Sequence, residues 1–273
     1  MEINQSALML AFPILVLFAV LEALYLIFVR KQTYDWRESL ASLGVALGGR
    51  LLKFATVGIV GGFAYLAWQH RWFTLSTHQA LYWPTLFVLA EFQYYWFHRI
   101  SHTCRWFWAT HAVHHSPQHF YLSGAYRLGW TGPFTGGFLF FTPLFLLGFH
   151  PSSVFAVIGV NLFYQYWLHT ELIGRLGWFD RAFNSPANHR VHHASDAIYL
   201  DKNFGGVLMV FDHLFGTYKA EDKHQPIKNY GVLPGVNSYN PIRIALHEWL
   251  NVIRDLKAEK RGKKRFGVLF GKP

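Results

Sequence analysis

The segments HRISH at residues 98–102, HAVHH at 111–115 and HRVHH at 189–193 hold eight of the 16 histidines in this 273-residue chain. On an α-helix, residues four positions apart lie on one face, so each motif places two imidazoles side by side. The third histidine of each HxxHH motif lies about 100° round the helix. Eight imidazoles in three such groups can surround two cations, which predicts a metal centre. The predicted ligands are His98, His102, His111, His114, His115, His189, His192 and His193.

The spacing leaves the identity of the metal open, because imidazole binds iron, zinc, copper and nickel alike. The single cysteine, Cys104, excludes an internal disulfide and a thiolate cluster, so histidine is the main ligand available. Six histidines outside the motifs lack such neighbours and are expected to be packed or surface residues. They are His70, His78, His119, His150, His224 and His247.

The composition favours a membrane protein over a soluble domain, since 52% of the residues are hydrophobic and only 15% are charged. The formal net charge is +10, and many basic residues lie near the carboxyl end. No nucleic-acid motif accompanies them, so anionic lipid is the expected partner rather than nucleic acid. These basic residues are Arg254, Lys257, Lys260, Arg261, Lys263, Lys264 and Arg265.

Five apolar runs are candidates for membrane spans, at residues 7–29, 54–68, 80–97, 130–149 and 152–168. The second run is short, and the apolar piece 40–49 precedes it, so four to five transmembrane helices are predicted, with five preferred. The sequence GFHP at 148–151 predicts a turn, and hence a membrane hairpin over about 130–168. The amino-terminal MEINQS lacks a positive charge, and no cleavage site follows, so the first run is expected to be retained.

Arg30, Lys31 and Arg37 follow the first run, which predicts that its end is cytoplasmic and the amino terminus outside. Counting through the spans then places the histidine motifs and the carboxyl terminus in the cytoplasm. The expected fold is an all-α integral membrane protein with a cytoplasmic histidine-rich helical cap, in a bacterial inner membrane. The expected regions are membrane helices over 1–84, a histidine-rich domain over 85–220 and a basic tail over 221–273.

A ninth histidine, His169, directly follows the last apolar run. Asn161, Gln165 and His169 lie four residues apart on one helix face, and polar groups in a membrane helix tend to be functional. His169 is therefore a further predicted ligand. Glu91 shares a face with His98, and it either contacts a metal-bound group or substrate or is satisfied by a neighbouring helix.

Metal-bound histidines need acceptors for the second ring nitrogen, so nearby carboxylate and amide side chains are candidates to support the ligands. No catalytic residue beyond the ligands is predicted. The candidate supporting residues are Glu91, Gln165, Glu171, Asp196, Asp201 and Asp212.

The histidine motifs, together with YQYWLHTE at 164–171, NHRVHH at 188–193, DKNFGG at 201–206 and DHLFGT at 212–217, resemble the fatty acid hydroxylase/sterol desaturase superfamily over about residues 85–220. The resemblance implies a helical membrane fold with two iron ions that use O2 to oxidise a long alkyl or sterol-like chain. It implies the eight motif histidines as ligands, and His169 matches a further histidine of the group. Hydroxylation and desaturation both remain open.

Such a centre needs an external reductant, and we expect a separate ferredoxin, b-type cytochrome or reduced pterin. Zinc can replace iron in a purified sample. One alternative is a histidine-rich divalent-metal transporter, whose site would lie near the bilayer midplane. Another is a zinc-dependent membrane hydrolase, which needs three ligands and an open water position. The number of histidines, and their position beyond the ends of the apolar runs, favour the oxygenase.

Overall fold

A computed structural model describes the backbone of residues 5–273 and the side chains of residues 12–273. Within this part of the chain the fold is helical, with no β-strand and two isolated β-bridges. The predicted all-α class is therefore confirmed. The predicted outer amino terminus, residues 1–4, lies outside the described residues.

Two long helices begin the chain. Helix α1 (Gln5–Leu24) continues into a π-helical turn at Tyr25–Val29, and α2 (Trp36–Gln69) runs for 34 residues. The segments Phe12–Val29 and Trp36–Gln69 are long and apolar enough to cross a membrane. Helix α2 leaves Leu51, Phe54 and Val57 exposed, as expected of a face that contacts lipid chains. Only these two candidate spans are found in the described residues, so the count of four to five is not confirmed.

The short apolar piece 40–49 and the run 54–68 are not separate elements, because both belong to α2. The helix begins early since Asp35 caps it, its Oδ1 accepting a hydrogen bond from the Glu38 backbone N–H at 3.1 Å. A helix of this length measures about 50 Å. That exceeds a hydrocarbon core of about 30 Å, so part of α2 extends beyond it.

Helix α3 (Tyr82–Thr103) includes the first histidine motif, and α4 (Arg105–His111) leads into the second. A 3-10 turn at Leu122–Tyr126 follows. Helix α3 is thus longer than the predicted run 80–97, because it continues through the histidines.

Residues 130–149, predicted as one span, do not form a continuous helix. This segment forms α5 (Gly132–Thr135), a 3-10 turn at Gly137–Phe141 and α6 (Thr142–Leu146). Pro133 and Pro143 each lie in a helix's first turn, the position proline tolerates, and Gly136 ends α5 with a φ of +80°. The second arm of the predicted hairpin is α7 (Pro151–Tyr166).

Four of these elements share a hydrophobic core. Residues of α2, α3, α6 and α7 pack together through Ala64, Leu86, Leu144, Phe145 and Val154. This core fixes α3 and α7 against each other. It thereby fixes the positions from which the first histidine motif and His169 project.

The remaining helices are α8 (Phe179–Ala182), α9 (Pro186–His193), α10 (Val210–Leu214), α11 (Pro241–Ala258) and α12 (Gly262–Phe270). The last two make the predicted carboxyl-terminal tail largely helical. Arg105 at the start of α4 holds them in place, since its side chain pairs with Glu248 at 2.9 Å and Asp255 at 2.7 Å. Its backbone N–H also donates to Gly271 O at 2.9 Å.

Gly48 lets α2 approach Trp130, whose Nε1 donates a hydrogen bond to Val45 O at 2.8 Å. A Cβ at residue 48 would overlap the indole ring. We expect Gly48→Ala to lower the free energy of unfolding by about 1–3 kcal/mol, the usual cost of overpacking, measured by thermal unfolding in detergent. Gly61→Ala in the same helix is the control, because nothing lies within 4 Å of its Cβ. Equal losses in both variants would contradict this packing.

Candidate metal centre

Five histidines converge in a first group at the ends of α3, α4 and α9. Their ring nitrogens lie within 4.8 Å of one another. His98 and His102 are one turn apart on α3, while His111 ends α4 and His115 lies in the turn that follows. His192, on α9, completes this first histidine group.

A second histidine group contains the other four predicted ligands, again with ring nitrogens within 4.8 Å of one another. His114 comes from the turn after α4, and His189 and His193 come from α9. His169 lies just beyond the end of α7. The structure therefore brings together all nine histidines that the sequence singled out.

Each HxxHH motif is divided between the groups. His111 and His115 lie in the first group and His114 in the second, whereas His189 and His193 lie in the second and His192 in the first. Residues four apart share a helix face, and their neighbour points about 100° away. One motif of this spacing therefore supplies two ligands to one group and one ligand to the other.

The groups lie side by side. The rings of His115 and His193 stack with centroids 4.2 Å apart, and they belong to different groups. The rings of His192 and His115 lie 4.7 Å apart within the first group. Two cations bound in these groups would be neighbours within one centre.

Burial favours the neutral form of all nine imidazoles. Loss of contact with water lowers the pKa of each ring, to about 4 for His114, and neighbouring histidines lower most of them further. A neutral imidazole has one N–H donor and one nitrogen lone pair. The neutral ring is also the form that binds a metal.

Four of the histidines turn the Nδ1 atom toward a backbone carbonyl, so Nδ1 carries the proton and Nε2 carries the lone pair. This arrangement fixes both the tautomer and the orientation of each ring. The four pairs are His98 with Phe204 O at 2.8 Å, His192 with Lys202 O at 2.9 Å, His114 with Arg127 O at 3.2 Å and His169 with Gln165 O at 3.0 Å.

The lone pairs consequently face one another. The Nε2 atoms of His114 and His169 lie 3.3 Å apart, and neither has a proton to donate. The Nε2 of His192 is buried without a hydrogen-bond partner within the described residues. Such contacts repel unless a cation lies between the nitrogens, and two nitrogens bound to one metal at about 2.1 Å would be about 3.0 to 3.4 Å apart, depending on the angle between them. The residues present therefore fit metal ions bound by nitrogen.

Glu91 and Gln165 do not contact the histidine rings with their side chains. Glu91 accepts hydrogen bonds from the Asn161 side chain and from the backbone N–H groups of Val207 at 2.8 Å and Leu208 at 2.9 Å. Of the two alternatives for Glu91, the structure supports a buried carboxylate satisfied by neighbouring elements. Gln165 accepts a bond from Tyr94 at 3.0 Å, and it is its backbone carbonyl that contacts His169.

Of the other predicted carboxylates, two bond groups away from the histidines and one faces a predicted ligand. Glu171 accepts a hydrogen bond from the hydroxyl of Tyr230 at 3.0 Å, and Asp196 accepts from two backbone N–H groups at residues 228 and 229. Neither contacts a predicted ligand. Asp201 alone faces one, with Oδ1 at 3.8 Å from Nδ1 of His102 and Oδ2 at 2.8 Å from Nζ of Lys272.

The main support for the first group is a loop that sequence reasoning did not identify. Lys202 and Phe204 present their carbonyls to His192 and His98, and the flanking Asp201 and Asn203 both adopt a φ of +57°. Left-handed backbone at such residues is costly and needs outside support. The Asn203 amide provides some by donating to the carbonyls of residues 188 and 219 at 3.0 and 2.8 Å.

Asp212 holds the same loop from the other side. Its carboxylate accepts bonds from the backbone N–H groups of Phe204 and Gly205 and from the Thr217 hydroxyl, each at 2.7 Å. Asp212, a predicted supporting residue, contacts no ligand directly. It holds the backbone of the loop whose carbonyls contact the ligands. The motifs DKNFGG and DHLFGT were the sequence signal for this loop. The carbonyl acceptors themselves could not be predicted, because every residue type has a backbone carbonyl.

The remaining histidines have ordinary contacts where these are described. His119 pairs with Glu38 at 2.6 Å, and Glu38 also lies 3.6 Å from Arg127. His119, Asp35 and Glu38 form a third cluster of potential ligands, but this ion pairing accounts for it. His150 bonds Ser152 at 2.7 Å, and His247 bonds the Ile244 carbonyl at 2.7 Å.

Together, the fold and the site define a helical protein with two candidate membrane spans and a buried histidine centre suited to two metal ions. Residues 83–217 match the family model described as fatty acid hydroxylase. The chain thus belongs to the fatty acid hydroxylase family through this domain, which confirms the resemblance predicted from the histidine motifs.

Several named relatives extend this match. Alkylglycerol monooxygenase of Homo sapiens is 34% identical over 239 residues, which cover 86% of this chain and 52% of the relative. Ornithine lipid hydroxylase OlsE of Rhizobium tropici is 34% identical over 143 residues, covering 50% of this chain and 43% of the relative. The chain spans about half the length of the curated relatives it matches. No solved structure matches the chain.

The loop geometry generates a test. In Asp212→Asn an amide N–H₂ replaces one of the two acceptors that fix the loop, so the carbonyls facing His98 and His192 should shift. We expect metal in the first group to bind about 10- to 100-fold more weakly, as for other losses of ligand support, while the second group keeps its metal. Metal content after graded chelation measures both.

The control is Asp196→Asn, because Asp196 bonds only a distant loop. It should retain the metal content of the unmodified protein. Equal metal loss from Asp212→Asn and Asp196→Asn would contradict the role of the loop.

Proposed function

We propose that this protein is a membrane-bound oxygenase that hydroxylates a C–H bond of a lipid alkyl chain, using O2, two iron ions and an external reductant. The observation that carries the proposal is the convergence of nine imidazoles, eight of them buried, in two adjacent groups. The family match and the names of the relatives, a monooxygenase and a lipid hydroxylase, support hydroxylation over desaturation.

We assign the first iron to His98, His102, His111, His115 and His192, and the second to His114, His169, His189 and His193. Bound there, the iron ions would supply the redox chemistry that activates O2. The protein's own groups orient the rings through backbone carbonyls, keep them unprotonated and exclude water by burial. Asp201 faces His102 at 3.8 Å and so places one negative charge beside the first group.

The reaction balances only with a reductant. One oxygen atom of O2 enters the C–H bond and the other leaves as water, which consumes two electrons and two protons. We propose a separate ferredoxin, b-type cytochrome or reduced pterin as the source of these electrons. We also propose that the histidine groups lie at the cytoplasmic ends of the membrane helices, as the basic residues after the first span indicate.

The alternatives receive less support. A divalent-metal transporter needs sites that ions can enter and leave from both sides, whereas eight of these nine histidines are buried and four are held by backbone carbonyls. A zinc hydrolase needs a few ligands and an open position, and the two groups offer five and four imidazoles.

The proposal is tested on detergent-purified full-length protein expressed with sufficient iron. We expect about two irons per chain and O2 uptake that requires both a reductant and added lipid. The double variant His192→Ala with His193→Ala removes one ligand from each group, so metal content and O2 uptake should both fall sharply.

His224→Ala is the matched control, since this histidine is exposed and outside both groups. It should behave like the unmodified protein. Metal flux into proteoliposomes, together with no O2 uptake from any of the three donor types, would overturn the proposal.

A further inference from the structure

A cavity of about 460 Å³ lies beside the second histidine group. Its lining combines residues of the first helix with residues of four loop segments. Leu26 belongs to the candidate span Phe12–Val29, and Gln32 lies just beyond that span. His119, Phe120, Glu171 and Tyr230 form much of the remaining wall. The cavity is therefore at the end of a candidate membrane span, where lipid head groups lie.

Only one aromatic layer separates this cavity from candidate ligands. The Phe120 ring stacks on the His169 ring with centroids 5.7 Å apart, and its centroid lies 5.4 Å from that of His193. Its other stacking partner is Tyr230, at 5.1 Å. A molecule in the cavity that touches Phe120 is thus separated from the second histidine group only by the Phe120 ring.

The charge of the lining contrasts with the charge of the chain. Although the protein carries a formal net charge of +10, no Lys or Arg is among the lining residues in the described part of the chain. Glu171 supplies an exposed carboxylate, whereas Glu22 is buried and its two oxygens accept hydrogen bonds from the Leu122 N–H and the Thr170 hydroxyl. The charge of His119 is matched by its pairing with Glu38 at 2.6 Å. The cavity therefore repels anions and offers acceptors for hydrogen bonds.

We infer that this cavity binds the polar head of the lipid substrate, and that the head is one that donates hydrogen bonds and has no net negative charge. Hydroxyl or ammonium groups meet this requirement, whereas a free carboxylate or phosphate does not. The inference rests on the proposed function, because a lipid bound there would hold its carbon chain near the histidines. Glu171 is the residue that selects the head group, since it is exposed at the cavity.

Three probes of equal chain length test this selection: a monoacylglycerol, a long-chain primary amine and the free fatty acid. Their competition against a radiolabelled monoacylglycerol is measured on purified full-length protein in a neutral detergent. We expect the fatty acid to bind most weakly. Glu171→Lys should weaken binding of the amine and strengthen binding of the fatty acid, each by roughly five- to ten-fold, as expected for a partly exposed charge.

Two further variants keep the test independent of folding. Glu171→Gln removes the charge with little change in shape. It should also weaken binding of the amine and strengthen binding of the fatty acid, but by less than Glu171→Lys does. Asp222→Lys makes the same charge change outside the cavity lining and should leave the order of the probes unchanged. Fatty acid binding as tight as that of the other two probes, or no response to Glu171→Lys, would overturn the inference.

The outcome is separable from that of the proposed function, because the binding assay needs no turnover. Selective binding without O2 uptake would overturn the oxygenase alone. Lipid-dependent O2 uptake with unselective binding would overturn the head-group inference alone.

Discussion

The structure depends on one electrostatic constraint, the meeting of unprotonated imidazole nitrogens inside a protein. His114 and His169 show it most directly, since each ring donates its Nδ1 proton to a carbonyl and the two Nε2 atoms face each other at 3.3 Å. Cations relieve this repulsion, and burial prevents the rings from relieving it by protonation. The fold must therefore hold the rings in place firmly enough for metal to bind them.

The surrounding elements hold the histidine rings in place, some directly and others through intermediate residues. The core between α2, α3, α6 and α7 fixes the helices that lead into two of the histidine segments. The loop from Asp201 to Gly206 fixes rings through its carbonyls, and Asp212 fixes the loop. Even the carboxyl end takes part, because Lys272 pairs with Asp201, which faces His102. A region outside the matched family domain thus contacts the support of the first histidine group.

The sequence indicated which histidines lie close together because their spacing is local: residues three and four apart remain neighbours on a helix and also in the turn that follows α4. It also predicted the helical class. It failed at 130–149, where hydropathy suggested a span but Pro133, Gly136 and Pro143 divide the segment. It also failed for most supporting side chains, since the acceptors are carbonyls of residues such as Phe204, which no residue type reveals. Glu91 lies on the same helix as His98 and His102, but it accepts hydrogen bonds from Asn161 and from the backbone N–H groups of Val207 and Leu208.

We propose that two neighbouring groups of imidazoles each hold an iron ion. X-ray absorption at the iron edge of the purified, iron-loaded protein tests it most directly. The account predicts a shell of nitrogen and oxygen neighbours rich in imidazole, no sulfur neighbour, and a second iron within one centre. A spectrum of isolated iron with few imidazoles, unchanged when His114 and His169 are replaced by alanine, would contradict it.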